Sequence, residues 1–266
     1  MRGGAQSHLM RASDGNFYIV KFQNNPQHVR VLANELIATR LAERIGLPTA
    51  ACEVMEVGAW LIDKTPDLHI QIGGLRKICK SGLQFGSRYI VDPVEGQVLD
   101  YMPEPLVTHA RVRNPEAFVG ALVFDKWTCN ADGRQVIYWR QNRERKYSVA
   151  LIDQGHCFHA GEWTFPDSPL RGTFTFNSVY QRVSGWESFE PWLSRIEHLD
   201  ENVLWSIAES VPPEWYEGEW NALEEMLDDL LRRRKRVREL VAQFASSSRH
   251  PFPKWTAAAK AASGKS

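Results

Sequence analysis

Two aspartates stand where phosphate chemistry could use them. Asn130-Ala131-Asp132-Gly133-Arg134-Gln135 leaves an apolar helical stretch and enters a strand-like run. A carboxylate on such a turn can orient a hydroxyl or take its proton, and Asn130 and Arg134 flank it. Leu151-Ile152-Asp153-Gln154-Gly155 puts a second aspartate directly after an apolar strand, with glycine two residues on. A tight strand-end turn of this kind suits a carboxylate that holds a hard cation such as magnesium.

Two further charges sit among apolar neighbours. Lys21 interrupts Tyr18-Ile19-Val20-Lys21-Phe22, and Glu35 lies between Leu32-Ala33 and Leu36-Ile37. A charge in such company is costly unless it is paired or turned to water, so each is the natural partner of the other. Ahead of both, Gly3-Gly4-Ala5-Gln6-Ser7 is a small, flexible segment. There backbone N–H groups, Gly4 and the Ser7 hydroxyl could approach phosphate oxygens. Glycine turn, strand lysine, helix glutamate, acceptor carboxylate and metal carboxylate follow one another in the order that an ATP-dependent phosphoryl-transfer site requires.

The elements that must position these groups are legible in part. Strands are expected over residues 5–12 and 17–22, joined by Ser13-Asp14-Gly15-Asn16, a hairpin signal. Val29, Leu32, Ala33, Leu36, Ile37, Leu41 and Ile45 recur at helical spacing, with Gly46 and Pro48 as stop signals. Residues 53–63 read as a strand hairpin around Gly58, and residues 82–92 as strand and turn. Residues 93–105 hold three prolines and a glycine and are the expected connection between two lobes. A helix over 116–128 and strands over 135–140 and 147–153 follow, then a mainly helical remainder in which 221–244 reads as one amphipathic helix. Its run Arg232-Arg233-Arg234-Lys235-Arg236 reads as a solvated face offset by earlier acidic residues. The fold expected is α+β and two-lobed: a β-rich lobe with one helix over 1–104, a mostly helical lobe over 105–245, and a tail over 246–266.

The matching stretches Gly3–Ser7, Tyr18–Phe22, Ala33-Asn34-Glu35, Phe124–Gln135 and Leu151–Phe158 resemble the HipA-like kinase family, distant relatives of phosphoinositide and protein kinases. The resemblance implies a kinase-like fold using ATP and Mg2+. It implies that Lys21 contacts ATP phosphates, Glu35 holds Lys21, Asp132 is the catalytic aspartate and Asp153 the magnesium ligand. One position departs from the pattern: a polar second metal ligand is usual about five residues after the catalytic aspartate, and here Ile137 stands there. Gln135 is the nearest polar substitute, and a nucleotide-binding pseudokinase acting as an interaction module is the alternative reading. The chain begins almost at the glycine turn, so the toxin role of members with an additional N-terminal domain is not expected.

Composition bounds the rest. Lysine plus arginine and aspartate plus glutamate number 32 each, which gives no electrostatic reason to expect nucleic acid or a membrane surface as partner. The partners expected are ATP and a phosphate acceptor, a protein serine or threonine, a lipid headgroup or a small molecule. The four scattered cysteines form no C-x-x-C pair and fit a reducing cytoplasm. The ten tryptophans, crowded toward the C-terminal half, read as packing anchors. Gly264-Lys265-Ser266 resembles the end of a P-loop but lacks the upstream glycine and strand, and is discounted.

Overall fold

The computed structural model describes residues 4–255. Strand β1 (His8–Arg11) pairs antiparallel with β2 (Phe17–Lys21), His8 opposite Val20. Gly15 supplies the positive φ of +84° in the connecting turn, and Asn16 N–H donates to Asp14 Oδ1 at 2.9 Å. Alternation along β2 sends Tyr18 and Val20 to one face and Ile19 and Lys21 to the other. Tyr18, Val20 and Phe22 join Val57, Ile62 and Ile70 in a small core on the first face.

Helix α1 (Val31–Arg44) is buried almost all round. Its end follows the expected signal closely. Gly46 takes φ +81°, Gly46 N–H donates to Glu43 O and Leu47 N–H to Ala42 O, both at 2.9 Å, which satisfies the last carbonyls. Strand β3 (Cys52–Val57) follows, but the expected hairpin over 53–63 does not form. Residues Ala59–Lys64 are helix α2, entered through extended Gly58. Alanine, leucine and lysine favour a helical turn there, and β3 takes its partner from further along the chain. After α2, β4 (His69–Ile72) and β5 (Leu75–Ile78) form a separate hairpin around Gly73-Gly74, both at positive φ. Strand β6 (Gly82–Arg88) then lies between β2 and β3, giving a four-stranded sheet of order β1-β2-β6-β3.

The connection over 93–105 carries a strand as well. β7 (Gly96–Leu99) pairs with β8 (Gln135–Gln141), which pairs with β9 (Ser148–Ile152). Helix α3 (Ala117–Trp127) lies between β7 and β8 in sequence and is buried along its whole length. Helices α4 (Trp192–Glu197), α6 (Trp220–Arg234) and α7 (Val237–Ala245) pack around it, and α5 (Glu201–Glu209) packs against α1 and α6. One helix was expected over 221–244. Two form, separated by Lys235-Arg236, and Arg233 and Arg236 both bind Asp167 there. The basic run is therefore not simply a solvated face: Arg233 is buried, and Arg234 donates to Leu199 O at 2.7 Å. Trp192 and Trp215 are buried, with Trp186, Trp205 and Trp220 packed against the same core. That core is continuous from α1 through α3 to α7. All four cysteines are buried thiols. Among the described residues no helix is long and apolar enough to cross a membrane.

Candidate active site

Lys21 ends β2 and points at α1. Its Nζ donates to Glu35 Oε1 and, at 2.8 Å, to Asp153 Oδ1. The two partners lie far apart in sequence, and the fold joins them through one ammonium. Glu35 does more than hold the lysine. Its Oε2 accepts the Gln154 N–H at 3.0 Å and its Oε1 the Gly155 N–H at 2.9 Å. The neighbouring Asn34 Nδ2 donates toward the carbonyls of Gly155, Cys157 and Ala160 at 2.7–3.1 Å, while its Oδ1 accepts Trp163 Nε1–H at 2.8 Å. One turn of α1 thus fixes the chain that follows β9.

That chain is unusual in its backbone. Asp153, Phe158, His159 and Ala160 all have φ near +57°. Such conformations cost free energy in non-glycine residues and persist where surrounding bonds over-determine them. Gly155 is required by close approach, since a Cβ there would lie 2.7 Å from Val31 Cγ1 and 3.1 Å from Glu35 Oε1.

The electrostatics follow from burial and count. Burial pulls the Lys21 ammonium down, but Glu35 and Asp153 outweigh it and hold its pKa above the ordinary lysine value. Burial pushes Glu35 up, Lys21 opposes, Asp153 adds repulsion, and the balance stays raised. Asp153 ends lowered because Lys21 overcomes its burial. Two carboxylates share one cation, and the one that solvent reaches is Asp153: its side chain is 29% exposed against 3% for Glu35. Asp153 is therefore the carboxylate of the two that could hold an arriving cation. Among the described residues no group of three or more histidines, cysteines or carboxylates could hold a metal by itself. A site completed by phosphate oxygens and water suits magnesium, which commonly uses one or two carboxylates.

The second predicted segment divides. Arg134 and Asn130 are buried and committed to Asp125, a residue the sequence reading did not single out. Arg134 Nε donates to Asp125 Oδ2 at 2.9 Å and its Nη2 to Oδ1, while Asn130 Nδ2 donates to the same Oδ1 at 3.0 Å. Arg134 Nη1 reaches Ile152 O at 3.1 Å and Gln154 Oε1 at 2.7 Å. Arg134 thus ties the 130–135 turn to the strand end beside Asp153. Asn130 Oδ1 accepts the Asp132 N–H at 3.1 Å, and Asp132 itself stays exposed. Gln135 is exposed opposite Ile152, its Nε2 3.5 Å from Asp132 Oδ2. Ile137 is half-buried opposite Ala150.

Gly4 lies in an exposed turn against Gln27, where a Cβ would meet Gln27 Nε2 at 2.7 Å. Gln27 Nε2 lies 3.0 Å from His156 Nε2, so the glycine turn reaches the Asp153 segment through one side chain. Gly3 lies outside the described residues, as does 264–266. Ser7 is half-buried just ahead of β1. Ser87 pairs with Ile19 and Cys52 in the sheet. Arg88 lines a cavity of about 320 Å³ between the β1–β2 turn, residues 49–51 and residues 88–93. Lys21 is not among its walls.

Behind the 130–135 turn lies a second buried cation. Lys126 Nζ donates to Pro169 O at 2.7 Å and Arg171 O at 2.5 Å. Burial, with repulsion from Arg233 and Arg249, pulls it down from 10.5 to about 8 despite Asp125 beside it. A depressed lysine pKa means that the folded state binds fewer protons than the unfolded state between those values. Stability therefore rises as pH rises from about 8 toward 10.5. Urea unfolding of wild type and Lys126→Met at pH 7.5 and 9.5 is expected to show wild type gaining about 2 kcal/mol relative to the variant. A gap that does not change with pH would show that Lys126 titrates normally.

The model of the HipA-like kinase family matches residues 1–247, and the chain belongs to that family. Three solved kinase-related structures share its fold. The Helicobacter pylori proinflammatory kinase CtkA is 14% identical at a TM-score of 0.53, over 88% of this chain and 94% of that one. Hydra Fam20, solved with sugar, is 13% identical at 0.52, over 92% and 84%. The Golgi casein kinase is 11% identical at 0.52, over 93% and 72%. At such identities the likeness concerns the fold alone. No curated protein matches the chain.

Proposed function

We propose that the chain is an ATP- and Mg2+-dependent kinase that transfers the γ-phosphoryl group to a hydroxyl, with a protein serine or threonine as the acceptor class. The observation that carries this reading is the Lys21 ammonium held between Glu35 of α1 and Asp153 after β9. Two lobes, 1–104 and 105–245, would meet at this cluster, with ATP between them and its base in the 320 Å³ cavity that Arg88 lines. Lys21 neutralises phosphate oxygens. The Gly4 turn and Ser7 cover them. Asp153 and Gln135 would hold magnesium, which supplies charge neutralisation at the phosphates. Asp132 orients the acceptor hydroxyl and receives its proton as the oxygen attacks phosphorus and the bond to the bridging oxygen breaks. Asn130 and Arg134 keep the Asp132 turn in place, so their part in catalysis is positional.

Asp132→Asn is expected to leave Mg2+-dependent ATP binding within about threefold while lowering transfer to a generic protein by about 10²–10⁴-fold. Nucleotide thermal shift and label transfer measure the two. An equal fall in both would make Asp132 a structural residue. The pseudokinase reading is favoured by one observation, the apolar Ile137 in β8 where a second ligand is usual. Mg2+-dependent ATP binding by wild type without any label transfer or ADP release would establish it. No thermal shift at all would reject both.

A further inference from the structure

The β4–β5 hairpin has one edge that the fold uses and one that it leaves bare. In an antiparallel pair, residues whose N–H and C=O face the partner strand alternate with residues whose groups face outward. On β4 the outward residue is Gln71. Its N–H donates to Gln6 Oε1 and its C=O accepts from Gln6 Nε2, both at 2.7 Å. Gln6 belongs to the glycine turn, so this edge is clasped to the segment that would cover ATP phosphates. Arg76 stands opposite Gln71 in the register and therefore turns its own N–H and C=O outward from β5. Two residues on, Ile78 follows the same alternation, and its C=O accepts from Asn24 Nδ2 at 2.9 Å. Among the described residues the backbone N–H and C=O of Arg76 have no partner.

Every residue of β5 is exposed, Leu75 to 68% and Ile78 to 70%. Leu75 and Lys77 lie on one face of the strand, Arg76 and Ile78 on the other. The charge is one-sided as well. Residues 59–80 hold Lys64, Arg76, Lys77 and Lys80 against Asp63 and Asp67. None of these four cations has a carboxylate partner among the described residues. A second copy pairing through its own β5 would bring Arg76 and Lys77 of both chains together, and like charges on paired strands oppose that. An acidic strand meets the opposite sign. The hairpin is also anchored beside the Lys21 cluster. Asn24, three residues after Lys21, holds Ile78 O and accepts the Lys80 N–H at 3.0 Å.

We propose that β5 is a docking strand for the acceptor protein. An extended segment of that protein, carrying aspartate or glutamate among apolar residues, adds to the hairpin as a third strand. Its backbone pairs with the outward groups of Arg76 and Ile78, its carboxylates meet Arg76, Lys77 and Lys80, and its apolar side chains cover Leu75 and Ile78. The acceptor role rests on the kinase reading above; the binding itself needs no nucleotide. Gln6 and Asn24 fasten the hairpin to the glycine turn and to the chain just past Lys21, so a segment docked there raises the local concentration of its own hydroxyl groups near the nucleotide.

Two arms test it. In the first, fluorescence anisotropy without ATP follows a labelled peptide that alternates valine and glutamate, and its valine–lysine counterpart. Saturable binding of the acidic peptide alone is expected. Lys77→Glu, a change on an exposed side chain, is expected to weaken it by about tenfold, less so at high salt. Arg76→Pro is expected to bind about 3–10-fold more weakly than Arg76→Ala, because proline removes the outward N–H and leaves the β4–β5 ladder its bonds. No binding of the acidic peptide, or binding that neither Lys77→Glu nor Arg76→Pro weakens, overturns the proposal. Binding instead to vesicles of phosphatidylserine and phosphatidylcholine, lost in Lys77→Glu, makes the edge a lipid surface and overturns it too. In the second arm a serine-bearing version of the peptide is given with ATP and Mg2+. A KM raised about tenfold in Lys77→Glu with kcat unchanged is expected. Label transfer with an unchanged KM overturns the docking role and leaves the kinase reading standing. Peptide binding without any nucleotide shift or label transfer overturns the kinase reading, and the acceptor role with it.

Discussion

Asp153→Ala is expected to abolish the Mg2+-dependent thermal shift with ATP and to lower turnover by at least about 10²–10³-fold, with only a small change in the stability of the free protein. The carboxylate is the part of the Lys21 cluster that solvent reaches, so a metal arriving with a nucleotide meets Asp153 and not Glu35. Removing it leaves Lys21 paired with Glu35, and Glu35 keeps its two bonds from Gln154 and Gly155. The turn therefore stays in place while its ligand is gone. Thermal shift with ATP alone, Mg2+ alone and both together separates these effects. An unchanged response to ATP with Mg2+ would remove Asp153 from the metal role. A collapse of the free protein would mean that Asp153 is needed to hold the turn.

The other large effect falls on folding. Asp125→Ala leaves the Arg134 guanidinium inside the protein without its carboxylate, and the two side chains are 0% and 1% exposed. Breaking one side of such a pair costs about 3–5 kcal/mol, since the remaining charge cannot be solvated. A fall in Tm of about 10 °C or more follows for a chain of this size. Removing both charges, as Asp125→Leu with Arg134→Met, is expected to recover a good part of that loss, because well-packed apolar groups replace a buried pair at little cost. The double variant should still transfer phosphate poorly, as Asn130 also leans on Asp125 and the 130–135 turn loses its frame. Urea unfolding of wild type, Asp125→Ala and the double variant decides this. A single substitution costing under about 1 kcal/mol would show that the pair does not frame the turn.

The same physical signal explains what could and could not be read in the sequence. Lys21 and Glu35 were legible as partners because each is a charge in an apolar element. Asp125 carries that signal equally, within Ala117–Trp127, and its need for a buried partner points to Arg134. Arg134 stands next to Asp132 and looks like chemistry; burial assigns it to support. The β1–β2 hairpin, α1 with its Gly46 stop, α3, β8 and β9 follow from turn residues and periodicity. The β4–β5 hairpin does not, because β5 is exposed along its length and shows no alternation, although Gly73-Gly74 marks its turn. The break between α6 and α7 contains neither proline nor glycine. Arg233 and Arg236 at this break both bind Asp167, more than sixty residues away in sequence, and no local pattern encodes that contact.

Asn34 and Glu35 bind five backbone groups of the segment after β9. As a mechanical linkage, this makes α1 and the Asp153 turn a single lever arm. The helix cannot tilt without dragging the turn along, and the turn cannot flip without first unclasping from the helix. Asp153 consequently takes its position from the anchorage of α1 in the large core rather than from its own loop.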